Sequence, residues 1–313
     1  MKIASFYRFL DLENPAGFRD ELQAACEELG LLGTVLVATE GFNGSVAGDE
    51  AAIRSLFEWV ESRLELTEPI DARWNDVSEP PFRRMRVRIK KEIVTLGRPD
   101  ILPHRKTGTY VSGEEWNRLI ENPDVLVIDT RNHYEYEVGT FPNAVDPETD
   151  SFRDFPRFAE RLAETDKHRP LAMFCTGGIR CEKATALMLE LGFDQVYHLQ
   201  GGILKYLEDM PATDNRWDGE CFVFDTRVAV DRDLAEGGYV QCHACRRPLS
   251  AEDLASPDYT EGVSCPKCIG ELDEDRAARL EERAKQVHLA RERGESHIGP
   301  NAGCSGPDDV QAK

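Results

Sequence analysis

The segment Cys175-Thr176-Gly177-Gly178-Ile179-Arg180-Cys181 carries the strongest chemical signal in this 313-residue chain. Residues 171–175 read as a short buried strand, and Ala184, Leu187, Met188 and Leu191 recur on one face of a helix that Gly192 stops. A cysteine at such a junction lies among backbone N–H groups at the positive end of a helix dipole. That setting favours thiolate over thiol and predicts a pKa below the free value of about 8.5. Thr176 is expected to donate its hydroxyl and Arg180 to add positive charge. Gly177 and Gly178, followed by Ile179, keep side chains out of the bowl. Cys181 reads equally as a resolving thiol for sulfur carried on Cys175 or as a small buried residue at the helix start.

A second cluster is Cys242-x2-Cys245 followed, after nineteen residues, by Cys265-x2-Cys268. Two such knuckles point to a tetrahedral four-thiolate site, with structural zinc the expected metal, and disulfides or an iron–sulfur centre as alternatives. His243 reads as a turn residue, Cys26 as core and Cys221 as packing. No glycine-rich phosphate cradle is present, so no nucleotide cofactor is expected.

The remaining sequence must position these groups. The 41% hydrophobic, 31% charged composition is that of a globular protein, and no apolar run approaches the roughly 18 residues of a membrane span. With no signal-peptide pattern at the N-terminus, a cytoplasmic location is expected. The net charge is −20, yet residues 83–106 carry +7, leaving −27 elsewhere. Within that stretch Arg84, Arg86, Arg88 and Lys90 alternate with Met85, Val87 and Ile89, which predicts a strand with one basic face. A solubilising edge strand is one reading; a contact to a phosphate backbone is the favoured one.

Strand signals at 2–9, 31–39 and 43–47, two amphipathic helices and the basic strand give the order β-α-β-β-α-β, a ferredoxin-like sandwich over residues 1–97. A linker is expected at 98–107, with Pro99 and Pro103. Strands at 125–129, 171–175 and 196–199 alternate with helices over 108–212, which indicates a parallel sheet with chemistry at the carboxyl ends of its strands. The cysteine-rich segment fills 213–293, ending in a charged helix, and a Gly/Pro/Ser-rich tail is expected over 294–313.

The loop from Cys175 to Arg180 is one residue shorter than that of cysteine-dependent phosphatases, and it resembles a rhodanese active-site loop. Asp129-Thr130-Arg131, Glu135-Tyr136, Gly139, Pro142 with Ala144, and Gln200-Gly201-Gly202 follow the same pattern. Thr140, Asn143 and Tyr206 depart from it. Asp129 and Arg131 read as braces for the loops rather than as reacting groups.

A narrower resemblance covers most of the chain. Residues 128–132, 151–156 (Ser-Phe-Arg-Asp-Phe-Pro), 175–183 and 217–225 (Trp-Asp-Gly-Glu-Cys-Phe-Val-Phe-Asp) are similar to the bacterial tRNA uridine-34 hydroxylases. The resemblance implies an acylphosphatase-like domain, a central rhodanese domain and a cysteine-rich C-terminal domain. It also implies dioxygen as co-substrate, the tRNA anticodon loop as partner, and a persulfide-forming cysteine at Cys175. The alternative is a plain sulfurtransferase moving sulfane sulfur to a small acceptor or protein thiol. The reductant or sulfur donor is not legible.

Overall fold

The computed structural model describes residues 1–293; the expected tail at 294–313, with Cys304, lies outside them. Two compact units emerge, Met1–Thr107 with Glu182–Leu191, and Gly108–Cys181 with the described chain from Gly192 onward.

The first unit is a five-stranded sheet ordered β4-β1-β3-β2-β5. Its elements are β1 (Lys2–Phe9), α1 (Pro15–Glu28), β2 (Leu32–Ala38), β3 (Gly41–Gly48), α2 (Glu50–Arg63), β4 (Ala72–Asp76) and β5 (Met85–Ile89). Asn14 and Asp49 cap the two helices by accepting backbone N–H groups. Phe18, Leu22 and Cys26 on α1 and Ile53, Leu56, Phe57 and Val60 on α2 are buried, as the helical spacing requires. They form one core with Ala4, Phe6, Val35, Val37 and Val46 from the sheet.

One expectation is corrected. The sandwich is closed by β4, which pairs antiparallel with β1 from Lys2↔Asp76 to Phe6↔Ala72. The basic strand β5 is instead an addition at the opposite edge, parallel to β2. β4 reads poorly in sequence because Ala-Arg-Trp-Asn-Asp lies at a sheet edge, where burial imposes little alternation. Met85 and Val87 of β5 are buried; Arg84, Arg88 and Lys90 are exposed and Arg86 half-buried. None of these four cations is in an ion pair among the described residues.

The second unit is built on a four-stranded parallel sheet, β6-β10-β9-β7. The chain runs through β6 (Thr109–Val111), α3 (Gly113–Glu121), β7 (Leu126–Asp129), α4 (His133–Tyr136), β8 (Gly139–Thr140) and α5 (Phe155–Thr165). It continues through β9 (Leu171–Phe174), α6 (Ile179–Glu190), β10 (Val196–Leu199) and α7 (Gly202–Asp209). Every residue of β9 is buried, as a central parallel strand covered on both faces demands. Under the sheet, Phe141 meets Trp116, Phe174, Tyr206 and Trp217 at ring separations of 4.9–5.3 Å. This aromatic cluster supports the end of the sheet where β9 stops.

The cysteine-rich segment belongs to this unit. It adds short two-stranded ribbons, the helix Ala251–Ala255 and the long helix Glu274–Glu292. No helix among the described residues is long and apolar enough to cross a membrane.

Because Phe141 is fully buried amid four rings, Phe141→Ala is expected to lower stability by about 3–5 kcal/mol. Chemical denaturation of the two proteins checks this by the shift in midpoint.

Candidate active site

β9 delivers Cys175 to the carboxyl edge of the sheet, between β10 and β7, and α6 starts four residues later. The turn between them is held from behind by α7. The N–H groups of Ile203 and Leu204 donate to the carbonyls of Cys175 and Thr176 at 2.9 and 3.1 Å. Gly202 permits this approach: its φ is +68°, and a Cβ there would fall 2.4 Å from the Cys175 carbonyl oxygen. Gly178, at φ +95°, turns its own N–H inward.

That N–H donates to Cys175 Sγ at 3.1 Å. Burial pushes the Cys175 thiol up, but a hydrogen bond from the Cys181 thiol, the Arg180 charge and the N–H groups of Cys181 and Gly178 outweigh it. The balance brings the thiol down to about 6. Cys181 moves the opposite way: burial and the neighbouring sulfur hold it well above the ordinary range. Its other partner is Thr130 Oγ1, at 3.5 Å. Cys181 is therefore a neutral donor to Cys175 in this arrangement. Both sulfur-bearing residues are fully buried.

Arg180 is committed to a residue to which the sequence reading gave no role. Its two terminal nitrogens donate to Glu135 at 2.7 and 2.8 Å, a bidentate pair buried inside the protein. Burial alone would raise the Glu135 carboxyl; the Arg180 charge and hydrogen bonds, Arg131 and the Asn132 N–H hold it below its usual value. The Glu135 carboxylate also caps α4 by accepting the Asn132 N–H at 3.1 Å. The spacing Asn132-x-x-Glu135 is a capping-box pattern and was the available signal.

Thr176 differs from expectation as well. Its hydroxyl lies 3.4 Å from Glu135 and 3.2 Å from an Arg180 nitrogen, so it bridges that pair instead of donating to the sulfur. A Cβ at Gly177 would meet nothing within 4 Å, so crowding does not explain this glycine. Asp129 and Arg131 form a fully buried fork–fork pair, closest at 2.6 Å. Arg131 also donates to the Gly139 carbonyl and lies over the rings of Phe174 and Trp217. Together these contacts tie the end of β7 to β8 beside the loop. Cys221 is buried, its thiol pushed up to about 12 by burial, which suits packing.

The structure brings Cys242, Cys245, Cys265 and Cys268 together at a separate location in the second unit, all four sulfurs within 4.8 Å of one another. Two of the separations are 3.8 and 3.5 Å. Tetrahedral zinc with Zn–S bonds of about 2.3 Å would set sulfurs about 3.8 Å apart. Those two separations lie close to that spacing, and four convergent thiols are the donor set such an ion takes. His243 is not among the converging ligands.

The UPF0176 acylphosphatase-like domain matches residues 1–93 and the rhodanese-like domain matches residues 112–209. A tRNA uridine(34) hydroxylase of Teredinibacter turnerae is 49% identical over 300 residues, covering 96% of this chain and 93% of the relative. Among solved structures, a human single-domain sulfurtransferase is similar to 33% of this chain and 99% of its own, at 22% identity and TM-score 0.29. A rhodanese-related protein from Thermoplasma volcanium matches 33% of this chain and 95% of its own, at 19% identity and TM-score 0.27.

The ultraviolet absorbance difference between the wild type and Cys175→Ser is expected to titrate near pH 6. Since the folded thiol is the more acidic, ionised Cys175 stabilises the fold above the unfolded thiol value, and this contribution is lost as pH falls through about 6. Cys181→Ala removes a donor and is expected to move the midpoint upward.

Proposed function

The chain belongs to the tRNA uridine(34) hydroxylase family, and from that membership we propose that it converts the wobble uridine of tRNA to 5-hydroxyuridine, as a cytoplasmic oxidoreductase of the EC 1.14 class that consumes dioxygen. The observation that carries the reading is Cys175 at the end of β9, its Sγ accepting the Gly178 N–H at 3.1 Å within a rhodanese-type loop.

C5 of uracil resists oxidation until a soft nucleophile adds at C6 and places the ring's electron pair on C5. Sulfur supplied by Cys175 forms the S–C6 bond and leaves an enolate, whose charge the loop N–H groups and Arg180 are placed to offset. C5 takes one oxygen atom from dioxygen. The other leaves as water, with two electrons and two protons from an external donor of thiol class. Loss of the C5 proton and expulsion of sulfur restore the ring.

Cys175 is fully buried. Attack of the Cys175 thiolate on the sulfane sulfur of a donor persulfide, which departs as its thiol, gives a persulfide whose outer sulfur stands about 2.05 Å beyond Sγ, so the outer atom is the one assigned to C6. Thr176, Gly177, Gly178 and Ile179 shape the loop, Arg180 is positioned by Glu135, and Asp129 and Arg131 brace it. Cys181 serves as hydrogen-bond donor in this state; once persulfidation has raised the sulfane sulfur outward, it is the nearest candidate for a resolving thiol. Arg84, Arg86, Arg88 and Lys90 form the phosphate-contacting row for the tRNA backbone. Zinc on Cys242, Cys245, Cys265 and Cys268 is structural: it would cross-link two knuckles in a segment with little apolar core.

In a strain lacking the gene, nucleoside mass spectrometry of tRNA is expected to show 5-hydroxyuridine restored by the wild type and absent with Cys175→Ser. Unchanged 5-hydroxyuridine with loss of a thiolated base would instead assign sulfur transfer. For the metal, native mass spectrometry is expected to find one zinc per chain, lost in Cys265→Ser together with a lower melting temperature.

A further inference from the structure

Phe224 is 71% exposed, and the Arg180 guanidinium lies over its ring, 5.9 Å from the centroid. Single exposed apolar side chains are common and ordinarily need no explanation. This one differs because its cationic neighbour is the arginine whose charge acts on the Cys175 sulfur.

The ring is also held in place. Cys221–Phe222 pairs antiparallel with Ala229–Val230, and the Val223 N–H donates to the Val228 carbonyl across the turn. At the tip, Arg227 forks onto Asp225, closest at 2.7 Å. Below it, buried Phe222 meets the Phe224 ring edge-on at 5.0 Å and rests in turn on Tyr134, 5.3 Å away. Tyr134 stands next to Glu135, the residue that fixes Arg180. A phenyl ring is thus carried out to solvent on a short supported hairpin, beside the reactive loop, in the same unit of the fold.

We propose that Phe224 is the stacking shelf for the wobble base once that base leaves the anticodon stack; this rests on the hydroxylation reading above. Single-stranded bases are held by aromatic faces. The Phe222 ring, at 88° to Phe224, steadies it, and Phe224 still stands 71% exposed to an incoming base. Stacking tolerates any base, so Phe224 supplies position and affinity, and uridine identity is read elsewhere.

The test uses the full-length protein and two anticodon stem-loop RNAs, one with uridine at the wobble position and one abasic there. Phe224→Ala is expected to weaken binding of the uridine RNA by about 5- to 150-fold, the range set by loss of one base–aromatic stack. Phe224→Leu is expected to lose most of the same affinity, Phe224→Trp to retain it, and all four proteins to bind the abasic RNA equally. Wild-type affinity of Phe224→Leu for the uridine RNA would overturn the proposal, as would an equal loss on both RNAs. A wild-type protein that separates the two RNAs through Phe224, yet leaves tRNA without 5-hydroxyuridine, would remove the hydroxylation reading and keep the shelf.

Discussion

An anion buried away from water is costly unless fixed dipoles and charges replace its hydration. Cys175 meets that demand with neighbours that cannot be supplied separately: the Gly178 and Cys181 N–H groups, the Cys181 thiol and the Arg180 charge. Each depends on a different part of the chain. Gly178 takes a backbone conformation open chiefly to glycine, the Cys181 N–H comes from the first turn of α6, and α7 holds the loop carbonyls from behind. The parallel sheet is the frame that brings these pieces to one strand end.

The same constraint explains Glu135. A buried arginine without a counter-charge would destabilise the fold, and breaking such a pair typically costs about 3–5 kcal/mol. Glu135 pairs with Arg180 bidentately and leaves the guanidinium a fixed cation whose charge acts on the sulfur. Thr176 joins that pair rather than the thiolate. The loop therefore stabilises negative charge first through the neutral Cys181 thiol, then through the Arg180 charge, and then through the backbone N–H groups of Cys181 and Gly178.

Much of the arrangement was readable from residue order. The alternation at β5, the helical spacing of Phe18 and Leu22, and the Cys-x-x-Cys pairs all encode local geometry or shared metal chemistry. What escaped was long-range partnership. Arg180 and Glu135 are 45 residues apart, and nothing in either segment states that they meet. β4 escaped because its polar edge position suppresses the alternation that identifies strands. Phe224 could be seen in a motif, but its place over Arg180 follows from a hairpin turn that only the fold reveals. Lys183 is a further case: it is fully buried in the first unit, against Glu40 at 2.6 Å and Glu92 at 2.7 Å, although by sequence it is only two residues beyond Cys181.

The most direct test of sulfur addition to the base is covalent trapping. An anticodon stem-loop RNA bearing 5-fluorouridine at the wobble position retains the fluorine where a proton would be lost, so an adduct at C6 persists. The account predicts a protein–RNA conjugate that peptide mapping places on Cys175, carrying one additional sulfur atom between protein and base. Absence of any conjugate, or a conjugate on another residue that survives in Cys175→Ser, would contradict it.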